Sequence, residues 1–179
     1  FGAASGFASS LDLDALDGSD GFVVLGADGG EESGFSVSGV GDLNADGIDD
    51  LIIGGPLAAE SYVVFGTTSG FAASLNLSSL DGSNGFTIFG FDINDSAGYS
   101  VSGGGDINGD GIADFVVGAP DERGADYAGH AYVVFGTGSG FPASLSLSAL
   151  SGSNGFALHG SSAFDYAGTS VNLVGDVNG

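Results

Sequence analysis

Oxygen-bearing side chains fall at positions 1, 3, 5 and 9 of a nine-residue segment that occurs twice in this chain, with glycine at position 6. The first copy runs Asp42-Leu43-Asn44-Ala45-Asp46-Gly47-Ile48-Asp49-Asp50, and the second Asp106-Ile107-Asn108-Gly109-Asp110-Gly111-Ile112-Ala113-Asp114. A third begins as Asp176-Val177-Asn178-Gly179 and supplies Asp176 and Asn178. This is calcium chemistry. A hard cation takes six to eight oxygens, and alternate residues of a tight loop can aim theirs at one point. Glycine at position 6 permits the sharp turn, which frees the carbonyls of Ile48 and Ile112 at position 7 to point inward. The loop is not an EF-hand. Position 12 would be Ile53 or Val117, where an EF-hand needs a bidentate Glu, and apolar runs stand where it needs a helix. A plain Asp/Asn/Gly turn without metal would use the same residue types. Recurrence of the whole spacing in one register favours the metal.

The loops belong to a longer repeat. Phe-Gly occurs at Phe1-Gly2, Phe65-Gly66 and Phe135-Gly136, and each Phe lies 41 residues before the first Asp of the next loop (42 − 1, 106 − 65, 176 − 135). The units are therefore 1–64, 65–134 and the partial 135–179. The second is six residues longer than the first (70 against 64), and the surplus lies between Pro120 and Tyr132. An insertion confined to one place marks a surface loop on a fixed frame.

Four segments of each unit read as strands. Gly34–Ser38 and Gly98–Ser102 precede the loops; Leu51–Gly54 and Phe115–Gly118 come after them. Tyr62–Phe65 and Tyr132–Phe135 are third, and Gly85–Gly90 and Gly155–Gly160 fourth. β-Branched and aromatic residues bounded by Gly, Asp, Asn and Ser are the strand signal. The second and third are apolar without alternation, which suits strands covered on both faces. Short connections imply antiparallel pairing. The reading is all-β, with tandem four-stranded antiparallel blades. Between third and fourth strands lies a Ser-Leu-x-Leu-x-x-Leu segment, at Ser10–Leu16, Ser74–Leu80 and Ser144–Leu150, which could anchor an outer loop or an added strand. No sustained helical periodicity is present.

The chain resembles the FG-GAP repeat family, known from the head domains of integrin α-subunits. The resemblance rests on Phe65-Gly66 and Phe135-Gly136, on Gly54-Gly55-Pro56 and Gly118-Ala119-Pro120, and on the Asp-x-Asn-x-Asp-Gly-x-x-Asp loops between them. Its Ser-Gly-Phe-x-Ala-Ser-Leu pattern is similar to long bacterial members. The resemblance implies a seven-bladed β-propeller with calcium in the loop between the first and second strands of a blade. By that analogy Asp42, Asn44, Asp46, the Ile48 carbonyl and Asp50 hold one ion, and Asp106, Asn108, Asp110, the Ile112 carbonyl and Asp114 another. Seven units of this size would need about 450–490 residues. The 179 residues here hold two complete strand sets, a preceding fourth strand (Gly21–Gly26) and a further first strand (Gly168–Val174). The expectation is about two and a half repeats, incomplete as a ring, whose partners are further repeats of the same chain or identical neighbouring chains.

Composition bounds the function. Net charge is −22, with one Arg, Arg123, and no Lys. A surface this acidic repels nucleic acid and anionic membranes. No transmembrane stretch is visible. Cysteine is absent, so stability must come from β packing and metal. Calcium loops of this strength fill at the millimolar calcium found outside cells, which points to an extracellular or cell-surface setting. His130 and His159 read as ordinary strand residues, and no nucleophile elbow or phosphate loop is present. Glu31, Asp95 and Asp165 each stand three residues before a Gly that opens a first strand, and read as solvated acidic turns. The expected function is not enzymatic: a calcium-binding adhesion or recognition module with a protein or glycan ligand. The alternatives are a subunit of a calcium-stabilised filament and, behind it, the propeller of a carbohydrate-active enzyme.

Overall fold

The computed structural model describes residues 9–120 and 127–174. Phe1-Gly2, insertion residues Arg123 and Asp126, and Asp176 and Asn178 of the third loop lie outside the described residues. The described chain is all β. Its only helical turns are three 3-10 turns, Leu13–Ala15, Leu77–Ser79 and Leu147–Ala149. The strands are β1 (Val23–Leu25), β2 (Ser36–Gly41), β3 (Asp50–Gly55), β4 (Glu60–Val64), β5 (Ser74–Asn76), β6 (Gly85–Phe89), β7 (Ser100–Gly105), β8 (Asp114–Ala119), β9 (His130–Val134), β10 (Ser144–Ser146) and β11 (Gly155–His159).

Two blades are antiparallel through their first four strands. The first is ordered β2-β3-β4-β6, the second β7-β8-β9-β11, and the sheets do not close into a ring. The central strands are covered on both faces, as their unbroken apolar runs require. Every residue of β8 and of β9 is buried, and all but one in each of β3 and β4. The blades stack face to face. Ile52, Phe86 and Ile88 of the first meet Phe115, Val117 and Tyr132 of the second in one core cluster. Phe141 stacks on Phe86, 4.4 Å between ring centroids, and closes that core at one end.

The glycine of the Gly-x-Pro motif is fixed by this stacking. A Cβ on Gly54 would collide with the carbonyl of Gly98 in the next blade, and one on Gly118 with the carbonyl of Gly168. Within each blade the glycine before the first strand bonds to the same motif: Gly34 N–H donates to Gly54 O at 3.0 Å, and Gly98 N–H to Gly118 O at 3.1 Å.

The Ser-Leu-x-Leu segments form added strands at two of three places. β10 leaves its own unit and pairs in parallel with β6, with Leu145 opposite Ile88. β5 pairs in parallel with β1, with Leu75 opposite Val24. The first blade thus has five strands, the outermost donated by the next unit. The 3-10 turn after each donated strand drops a leucine between blades: Leu77 is 1% and Leu147 2% exposed. The expected strand at Gly168–Val174 does not form. That stretch instead runs along β7 through side chains: Val171 N–H donates to Ser100 Oγ and Leu173 N–H to Ser102 Oγ, each at 3.0 Å. A first strand gains its ladder from the second strand of its blade, as β2 does from β3, and no such partner faces 168–174 among the described residues.

Candidate calcium loops

Both loops join a first strand to a second and lie at the same end of adjacent sheets. Each comes after a register shift, between Gly39 and Gly41 in β2 and between Gly103 and Gly105 in β7. A bulge bends the strand and re-aims the residues beyond it. Within each loop the first and third side chains meet on one backbone N–H. Asp42 Oδ1 and Asn44 Oδ1 both accept from Asp46 N–H, at 3.0 and 2.9 Å. Asp106 Oδ1 and Asn108 Oδ1 do the same at Asp110 N–H, at 3.1 and 2.9 Å. The other oxygens of Asp42 and Asp106 accept from the glycine at position 6, at 2.8 and 2.9 Å. The fifth side chain joins the group: Asn44 Nδ2 donates to Asp46 Oδ2 and Asn108 Nδ2 to Asp110 Oδ2, both at 3.0 Å. The side chains singled out by spacing at positions 1, 3 and 5 thus lie together, in two loops with matching bonds.

Position 9 is built differently. Asp50 and Asp114 are buried, 4% and 0% exposed. Asp50 accepts from Leu43 N–H at 2.9 Å and from Gly66 N–H at 2.8 Å. Asp114 accepts from Ile107 N–H at 2.7 Å and Gly136 N–H at 2.9 Å. One carboxylate thus ties the start of its loop to the Phe-Gly at the end of the third strand. That glycine has no room for a side chain: a Cβ on Gly66 would strike Asp49 O and Ile48, and one on Gly136 would strike Ala113 O and Ile112. Burial pushes the Asp50 carboxyl up to about 6, opposed by the two N–H donors and reinforced by Asp46 and Asp42. Asp114 is raised for the same leading reason. Crowded carboxylates of this kind are relieved by a cation.

The donor set fits calcium. Each loop offers three carboxylates, one amide oxygen and the position-7 carbonyl, all hard donors. A carboxylate has about four acceptor sites, so the N–H bonds orient its oxygens without exhausting them. Among the described residues no three carboxylate or imidazole groups converge by themselves as a metal cluster. A cation in these loops would therefore need amide and carbonyl oxygens as well.

The first loop also contacts the second. Ala113 N–H donates to Asp42 O at 3.3 Å and Thr137 N–H to Leu43 O at 2.9 Å. Leu43 is accordingly 0% exposed, whereas Ile107, its counterpart in the second loop, is 43% exposed. Beside each loop runs a groove. Asn108, Asp110, Phe135, Phe141 and Asn154 line a space of about 530 Å³, and Asp46, Ile48, Phe65, Phe71 and Asn84 line its counterpart of about 490 Å³.

Two of the acidic turns are not solvated. Asp95 is fully buried and accepts from the N–H groups of Phe91, Asp92 and Ala97 at 2.7, 3.1 and 2.9 Å. Burial raises its carboxyl above the usual range against those donors. Glu31, 5% exposed, accepts from Ala27 N–H, Asp28 N–H, Ser33 Oγ and Tyr62 Oη. Tyr62 also bonds Glu60. Only Asp165 is exposed, accepting from Ser161 and Ser162. The sequence marked the position of Glu31 and Asp95 but not their burial, beside which Gly26 and Gly90 leave no room for a side chain. His130 and His159 sit opposite each other on β9 and β11, with rings edge to face at 4.5 Å.

The FG-GAP repeat model matches residues 97–134, the span from the turn before β7 to the end of β9. Over that span the chain thus carries an FG-GAP repeat match. Integrin alpha pat-2 of Caenorhabditis elegans is 35% identical over 101 residues, covering 54% of this chain and 8% of that protein. Integrin alpha-E of Mus musculus is 34% identical over 100 residues, covering 49% of this chain and 8% of that protein. The chain therefore spans only a small part of the length of the relatives it matches. No helix among its described residues is long and apolar enough to cross a membrane.

Proposed function

We propose that this FG-GAP chain is a calcium-binding adhesion or recognition module that works outside the cell or on its surface, without catalysis. The observation that carries the reading is the meeting of the first and third loop side chains on one N–H, made identically at Asp46 and Asp110. Loops that shared only composition would have no reason to share bonds. Asp42, Asn44, Asp46, the Ile48 carbonyl and Asp50 hold the first ion; Asp106, Asn108, Asp110, the Ile112 carbonyl and Asp114 hold the second. The loop of Asp176 and Asn178 is the third candidate by sequence. The ion supplies charge neutralisation and cross-links its ligands; the chain's own part is to orient oxygens and bury position 9. The grooves beside the loops are where a protein or glycan ligand would meet the surface. The integrin relatives support the adhesion reading and its location. The second reading, a subunit of a calcium-stabilised extracellular filament, draws on the edge of β11, which no strand covers among the described residues.

Thermal melting with and without calcium tests the reading. Extracellular modules bind calcium at about 10⁻⁴–10⁻³ M. Ten-fold saturation adds about 1.4 kcal/mol per site by linkage, or roughly 3–6 °C in a chain of this size. Asp42→Ala and Asp106→Ala should each remove part of the calcium-dependent rise. A rise unchanged in the double variant would refute the assignment of these loops.

A further inference from the structure

The chain contains two histidines, and the fold brings them to one place. His130 opens β9 and His159 closes β11, directly opposite each other in the antiparallel ladder. Residues paired in this way point to the same face of a sheet, with Cβ atoms about 4.5–5.5 Å apart. The two rings accordingly meet edge to face, 4.5 Å between centroids. They stand at the end of the blade away from its calcium loop: His130 pairs with Ala119, whereas the loop joins β8 at Asp114.

Their face is the one turned to the first blade. Tyr132 and Val134, at alternate positions after His130, belong to the core between the blades, and Ala157 of β11 packs against it. Both imidazoles line a cavity of about 230 Å³, bounded also by Phe91 after β6 and by Leu147 and Ser148 of the 3-10 turn after β10. The chain beyond β11 covers the opposite face, where Val171 and Leu173 pack on Val116 and Val133. The repeat does not ask for histidine at either position. In the first blade the corresponding pair, in the same register, is Glu60 opposite Phe89. Blade packing alone therefore does not account for two imidazoles in contact.

We propose that His130 and His159 together bind a borderline divalent cation such as Zn2+, through one nitrogen of each ring, at a site separate from the oxygen loops. Imidazole suits zinc, copper and nickel, whereas calcium takes oxygen. With Zn–N bonds of about 2.0–2.1 Å, two imidazoles on adjacent corners of one ion have ring centres roughly 5 Å apart, so rotation about the side-chain bonds suffices to form the site. Each ring has two nitrogens, and one can ligate while the other keeps a hydrogen-bond partner. Among the described residues no third imidazole or carboxylate converges on the pair. The ion's remaining positions go to water or to a donor atom supplied by a ligand. His159 is exposed and gives the ion its way in. Bound there, the ion ties the third strand of the blade to the fourth.

The small number of histidines makes the test direct. A long-range proton–nitrogen NMR spectrum of the folded 179-residue chain contains two imidazoles. Zinc chloride is added in steps in the presence of excess calcium, which competes for the carboxylates. Both rings should respond together and saturate at one zinc per chain. In His159→Phe, which carries the first blade's residue, and in His159→Ala, the response of His130 should vanish or need about ten-fold more zinc or beyond. His159 is exposed, so neither change disturbs the fold. Rings indifferent to zinc, a single responding ring, or a His130 response that persists unchanged in both variants would each overturn the proposal. The calcium reading stands or falls separately, since its loops contain no histidine.

Discussion

At the ninth position of each loop one buried carboxylate holds two backbone N–H groups from distant parts of the unit, and the candidate calcium loop shares that residue. Asp114→Ala would leave Ile107 N–H and Gly136 N–H without their acceptor. The cost expected without calcium is about 1–3 kcal/mol per buried group left unpaired. Asp92→Ala removes an exposed turn acceptor and should stay within about 0.5 kcal/mol. Urea unfolding of the two variants in chelator checks the contrast, and equal midpoints would contradict it. Asp95 gives a pH signature. Its folded carboxyl is raised, chiefly by burial, so the folded state binds the proton more tightly than the unfolded chain. Stability from this group is therefore full at pH below the ordinary carboxylate value of about 3.9 and declines as pH rises through the raised one. The stability of the parent relative to Asp95→Asn should accordingly fall with rising pH across the acid range; a difference that grows with pH would contradict the burial account. The grouping of the loop side chains at positions 1, 3 and 5 was legible because alternate residues of a tight turn face one another. Burial of Asp50, Asp95 and Glu31 was not, because it is created by glycines and strands of other segments.

Identical leucines have different energetics according to the element that covers them. Leu147 lies between two blades, and Leu147→Ala should cost about 2–5 kcal/mol. Leu13→Ala, at the same place in the repeat but exposed, should fall within about 0.5 kcal/mol. Denaturant titration measures both; similar losses would argue against the donated-strand arrangement. The four strands of each blade were readable from β-branched and aromatic runs between turn residues. The fifth was only half readable. Ser144–Ser146 is three residues long, and its partner β6 lies in the preceding unit, so no local pattern reveals the pairing or its parallel sense. The stretch after Gly168 shows the converse: strand composition without a partner strand does not make a strand.

At the scale of the molecule, the glycines of the Gly-x-Pro and Phe-Gly motifs stand at the closest backbone approaches. Gly54 and Gly118 admit the next blade's backbone, and Gly66 and Gly136 close over the candidate metal loops. The loops and the blade stacking are one structure, since the first loop also bonds to the second blade through Asp42 and Leu43. A chain with net charge −22 would gain twice from calcium, by local coordination and by reduced self-repulsion. The most direct test of the account is calorimetric titration of the folded, metal-free chain with calcium. The account predicts uptake of at least two ions near millimolar concentration or tighter, one of them lost in Asp42→Ala and another in Asp106→Ala. A folded chain that takes up no calcium up to several millimolar, or whose uptake survives both substitutions, would contradict it.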